Sequence, residues 1–102
     1  MQSNNKIEID KHSKLLAIIN HGLELIKLIP SFDCLLIMND KSEHTIKPGF
    51  DMYRIQTQSK DRSSTITYCV DSLDVFVKST AISSISLFMM DGKEIKLYPS
   101  EA

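Results

Sequence analysis

Glycine is scarce in this chain, at three residues, and cysteine scarcer, at two. Gly22, Gly49 and Gly92 lie too far apart for any two to form a phosphate-cradling loop, so nucleotide chemistry of the glycine-rich kind has no motif. Cys34 and Cys69 lack CxxC spacing and fall in apolar or β-type stretches, which reads as two unpaired buried thiols. Long apolar runs are missing as well. The longest, Leu15–Ile19 and Cys34–Met38, span five residues each, against the roughly 20 that a bilayer-spanning helix needs. The first fourteen residues, MQSNNKIEIDKHSK, have no apolar core of a secretory signal, and the expected compartment is the cytoplasm.

An excess of charge of either sign is also absent. Twelve lysines and arginines face thirteen aspartates and glutamates, for a net charge of −1. Without a basic stripe to neutralise phosphates, nucleic acid is disfavoured as a partner, and no acidic run imitates DNA. No repeat, low-complexity tract or proline–glycine linker divides the chain. The expected organisation is an N-terminal tail or edge strand over 1–9 and a single α+β domain over 10–102.

What remains is a globular composition, 42% hydrophobic and 25% charged over 102 residues. That length suits one hydrophobic core and is too short for two. From about Lys11 to Ile29, Leu15, Leu16, Ile18, Ile19, Leu23, Leu25, Ile26 and Ile29 fall on one half of a helical wheel. Asp10 is placed to cap this helix and Pro30 to stop it. Half a cylinder of Leu and Ile needs a sheet beneath it.

Phe32 to Met38 is apolar on both faces and reads as a central strand. A polar turn at 39–42 leads to a short strand over 43–47, and Pro48-Gly49 interrupts the pairing. Phe50–Thr57 and Ser64–Val70 alternate as two further strands. Pairing Ile55 with Ile66 and Tyr53 with Tyr68 keeps their apolar sets together. Asp71-Ser72-Leu73-Asp74 resembles a helix start, giving a short helix from about Ser72 to Ser79.

The last hairpin turns at Asp91-Gly92. A two-residue turn would oppose Leu87 to Lys96 and Met89 to Glu94. A three-residue loop, Met90-Asp91-Gly92, instead pairs Met89 with Lys93, Leu87 with Ile95 and Ile85 with Leu97. The apolar pattern therefore selects a type I turn with Gly92 left-handed in a bulge. The expected fold is α+β: a long N-terminal amphipathic helix packed on an antiparallel, meander-like sheet of five or six strands, with a short helix before a C-terminal β-hairpin.

No cluster carries chemistry. His12 and His21, nine residues apart on the helix, face opposite sides and cannot share a metal. His44 sits near Glu43 and Asp40 and reads as a solvated turn residue. Both cysteines lie within strands, away from the helix N-termini that activate thiolates. No catalytic residue, cofactor site or metal site is expected. The feature that stands above background is the outer face of the last hairpin: Ser84, Ser86, Phe88, Glu94, Lys96 and Tyr98, an aromatic pair among polar residues. Asp71 and Asp74 form a second, acidic candidate for a basic partner.

These residues point to a small protein-binding module that neutralises or regulates another macromolecule, of the immunity-protein, antitoxin or phage-type inhibitor kind. Its expected partner is a protein such as a toxin or a host enzyme. A small nucleic-acid-binding or ribonuclease-like domain using Arg54, Arg62 and His44 is the alternative. A homo-oligomeric structural subunit is a further one, and a homodimer is compatible with either protein-binding reading.

Overall fold

The structure, a computed structural model, describes residues 2–99, with side chains described from residue 11 onward. Helix α1 (Gln2–Leu28) leads into strands β1 (Phe32–Met38), β2 (Ser42–Pro48), β3 (Tyr53–Ser59) and β4 (Thr65–Val70). A short helix α2 (Asp74–Ser79) precedes β5 (Ser84–Met89) and β6 (Glu94–Tyr98). The six strands form one antiparallel sheet in the order β4-β3-β2-β1-β5-β6. The first four make a meander, but β5 crosses back to pair with β1, so the apolar β1 is interior as its composition demands.

The helix begins earlier than expected. Residues 2–9 of the segment read as a tail or edge strand are the first part of α1, residue 1 lying outside the described residues, and Asp10 lies inside the helix, not at its cap. Nothing between Gln2 and Ile9 breaks a helix, and Gln, Lys and Glu favour one without leaving an apolar stripe. At the other end Ile29 N–H closes the last turn onto Leu25 C=O at 2.8 Å, and Pro30 follows.

Leu15, Ile19 and Leu23, spaced four apart, are the buried line of α1. They meet Leu35, Ile37, Ile46, Ile55, Ile85 and Leu87, which all project from the same face of the sheet. Leu73, Phe76, Val77 and Ile82 add α2 and its flanks to that core. Seven of these side chains are fully buried, each contributing about 1.5–3 kcal/mol relative to exposure. Both helices thus pack on one face of the sheet, called here the inner face.

Gly22 marks the closest approach of helix and sheet. A Cβ there would stand 2.6 Å from Leu35 Cδ1 and 3.3 Å from Leu97 Cδ1. Only a residue without a side chain lets α1 settle so low on β1 and β6.

Two registers depart from the apolar pattern. In the β3–β4 hairpin Ile55 pairs with Tyr68, Thr57 with Ile66 and Tyr53 with Val70, a shift of two residues that leaves every side chain on its expected face. The tip decides it: Asp61 Oδ1 accepts from Ser59 Oγ, Ser63 N–H and Ser63 Oγ at 2.7–3.0 Å, closing a tight loop with Arg62 left-handed. The strand β3 also starts later than expected, leaving Phe50 and Met52 exposed in the connection.

In the last hairpin the three-residue loop holds. Met89 N–H donates to Lys93 C=O, Gly92 N–H to Met89 C=O, and Gly92 has φ +92°. Leu87 pairs with Ile95 as expected. Beyond Ser86–Lys96 a bulge intervenes, and Ile85 faces Tyr98 where Leu97 was expected. Leu97 and Tyr98 both pack against the core.

Candidate functional site

The outer face of the sheet carries no helix. One rung of the ladder crosses it as Thr67, Gln56, Thr45, Leu36, Ser86 and Lys96. Beside it Cys34 pairs with Phe88, and Phe88 with Glu94. The alternation of β1 explains the setting: its inner residues Leu35 and Ile37 meet the helices, so Cys34, Leu36 and Met38 must face the other way.

These side chains floor a groove of about 510 Å³ lined by Cys34, Leu36, Thr45, Gln56 and Phe88, with Asp33, Glu43, Lys47 and Arg62 around it. Leu36 and Phe88 are half-buried, and Ser86 is only 2% exposed. Lys47 Nζ lies 3.2 Å from Asp33 Oδ1 and closes one side. Arg62 enters from the β3–β4 tip, which Lys60 N–H ties to Lys41 C=O at 3.1 Å. The Cys34 thiol is pushed up, first by burial and then by the Asp33 carboxylate, with Lys47 opposing. A thiol held protonated is the reverse of an activated nucleophile.

The expected site residues therefore separate. Phe88, Glu94 and Lys96 share the outer face, as the register implied. Tyr98 does not: the bulge turns it to the inner side, where it packs on the core. Phe88 is not covered by the 71–80 segment, whose Phe76 and Val77 are buried on the opposite face. Of the groove's other members, Cys34, Leu36 and Lys47 were not foreseen as site residues, and Arg62 was expected only in the ribonuclease-like alternative. A signal for two of them, Cys34 and Leu36, existed, because a strand apolar on both faces implies a second face worth covering.

Asp71 follows β4 as an exposed loop residue, and no cap bond from it holds α2, whose N-cap is Leu73. Asp74 is engaged: its Oδ1 accepts from His12 Nε2 at 2.8 Å, and its Oδ2 lies 3.4 Å from Lys78 Nζ. The His12 hydrogen bond, followed by that of Lys78, holds the Asp74 carboxyl below its ordinary value. This clamp joins α1 to α2 beside a second groove, about 670 Å³, floored by Leu15, Val77 and Ile82. Asp74 is thus a tie between the two helices.

His44 is buried on the inner face, contrary to the solvated turn expected of it. Ser42 Oγ donates to Asn39 Oδ1 at 3.1 Å, so it accepts from His44 Nε2–H at 2.9 Å, and Thr57 Oγ1 donates to His44 Nδ1 at 2.8 Å. The ring stands edge-on to Phe76 with centroids 5.3 Å apart. Burial pushes its pKa down. Every position of the imidazole is used for structure. Arg54 sits on the outer side of the ladder, so His44 and Arg54 occupy opposite faces of the sheet.

Cys34 is a buried free thiol as expected, but Cys69 is exposed, because the outer face of β4 is open. Among the described residues no three His, Cys, Asp or Glu side chains gather as metal ligands, and no helix is long and apolar enough to cross a membrane. Compared with protein families, curated proteins and solved structures, the chain matches none.

Proposed function

We propose that this chain is a protein-binding module that neutralises or regulates another macromolecule in the cytoplasm, in the manner of an immunity protein, antitoxin or phage-type inhibitor. Its recognition surface is the outer face of the sheet around Phe88. The observation that supports this reading is the distribution of cover: both helices pack on the inner face, and the outer one keeps Cys34, Leu36 and Phe88 in an open groove. An apolar, partly aromatic centre ringed by polar groups is the anatomy of a protein interface. The rim mixes Asp33 and Glu43 with Lys47 and Arg62. That mixture suits the mixed charges of a protein partner, whereas phosphates call for cations alone.

The test is capture with the tagged full chain from its native host, identification of what is enriched, and a binding constant measured with the purified partner. Phe88→Ser is expected to weaken that constant by about 30-fold or more, the loss typical of an aromatic anchor. Tyr98→Ser should lower stability and leave binding by the folded fraction unchanged. Binding that is indifferent to Phe88→Ser and to Lys96→Glu rejects the outer face as the site.

A further inference from the structure

The two edges of the sheet are built differently. The β6 edge carries Glu94 and Lys96, and its register slips before Tyr98. Charges and bulges are the devices that keep an edge from pairing with another chain. The β4 edge, Thr-Ile-Thr-Tyr-Cys-Val, has no charge, proline or glycine, and its ladder to β3 runs without a bulge. Ile66 is 61% exposed and Tyr68 39%, although both project on the inner side. The long helix packs chiefly on β1, β2 and α2 and leaves this strand open.

The phase of the ladder shows which backbone groups are free. Ser59 N–H donates to Ser64 C=O at 3.1 Å, and the register continues unbroken to Tyr53–Val70. Because hydrogen-bonded pairs alternate in an antiparallel ladder, Ile66, Tyr68 and Val70 turn their N–H and C=O groups toward β3. Thr65, Thr67 and Cys69 turn theirs away from the sheet.

We infer that β4 is a self-association edge, where a second copy of this chain pairs antiparallel about a two-fold axis at Thr67. This register opposes Thr67 to Thr67 and Thr65 to the second copy's Cys69, so all three outward-facing residues of each strand are paired. A slip of two residues leaves one of the three unpaired in each chain. The Thr67–Thr67 register also sets Ile66 beside the second copy's Tyr68, an aromatic–β-branched pair of the kind that stabilises sheets. Charge supports the antiparallel sense. The tip before β4 carries Lys60 and Arg62 against Asp61, and the residue after β4 is Asp71. Antiparallel pairing lays each cationic tip beside the second copy's Asp71, while parallel pairing would set Asp71 against Asp71. The two six-stranded sheets become one, with both outer faces on the same side.

The experiment is the mass of the full chain by sedimentation equilibrium over a range of concentrations, for the wild type and two variants. The wild type should reach twice the chain mass. Thr67→Lys changes an exposed side chain and sets two ammonium groups against each other on the axis, so it should remain monomeric with an unchanged circular dichroism spectrum. Thr65→Cys faces the second copy's Cys69, and with oxidised glutathione as oxidant it should give a disulfide-linked dimer that Cys69→Ser abolishes. A wild type that stays at the chain mass overturns the inference. So does a dimer that persists in Thr67→Lys, or a cross-link that survives Cys69→Ser.

Discussion

Replacing Gly22 with alanine sets two opposing effects against each other at a position where the structure gives their sizes. In an unobstructed helix interior Gly→Ala stabilises by about 0.8–1.0 kcal/mol. Here the added methyl would stand 2.6 Å from Leu35 Cδ1, with Leu97 Cδ1 at 3.3 Å, where carbon contacts are at ease near about 3.5–4.0 Å. Leu35 is fully buried in an interior strand, so its side chain has little room to retreat. Overpacking of this kind costs about 1–3 kcal/mol. The obstruction is the end of a side chain, not backbone, which keeps the cost near the middle of that range, about 2 kcal/mol. The net expectation is a loss of about 1 kcal/mol, read as a lower denaturation midpoint at unchanged slope.

A double-mutant cycle isolates the cause. Leu35→Ala alone should cost about 2–5 kcal/mol. In that background the obstruction is gone, and Gly22→Ala should stabilise by about 1 kcal/mol, a coupling of about 2 kcal/mol between the two sites. If Gly22→Ala stabilises equally in both backgrounds, α1 does not lie this close to β1, and the assignment of the inner face loses its main support.

Burial penalises the charged imidazole of His44, so the folded chain holds that proton less tightly than the unfolded chain does. Its contribution to stability is full above the ordinary value of 6.5 and is lost as pH falls below it toward the depressed folded-state value. Urea midpoints taken from pH 8 to pH 5 should show this decline, and His44→Gln should flatten it; an identical slope in the variant refutes the assignment. Gly92 has φ +92° with no atom near its Cβ position, so Gly92→Ala should cost about 1–2 kcal/mol through the backbone alone. Gly92→Asn should cost less than Gly92→Ala, and equal losses would contradict a left-handed origin.

Much of the architecture is legible where apolar spacing has only one solution. Leu15, Ile19 and Leu23 announce the buried line of α1, and the run in β1 announces an interior strand. The Met90–Gly92 loop is legible because a one-residue slip would bury charge. The β3–β4 register is not, since a slip of two residues keeps Ile66, Tyr68 and Val70 on the same side, and hydrogen bonds from Asp61 choose between the two. Tyr98 was misplaced for a related reason: strict alternation has no way to announce a bulge. His44 looks like a turn residue because its cover, Phe76, comes from a helix more than thirty residues later in the chain. For the site, Phe88, Glu94 and Lys96 follow from the hairpin register. The groove that Phe88 lines needed the pairing of β5 with β1, a non-local contact that no periodicity encodes.

The central claim is that recognition belongs to the outer face of the sheet while the inner face is core. Methyl NMR of the full chain, titrated with its captured partner, tests it most directly. Leu36 and Met38 project outward and Ile46 and Ile55 inward from neighbouring strands. Large shift changes are expected at the Leu36 and Met38 methyls at substoichiometric partner, with Ile46 and Ile55 nearly still. Perturbation concentrated on the inner set, or on Leu15 and Ile82 beside the α1–α2 groove, would contradict it.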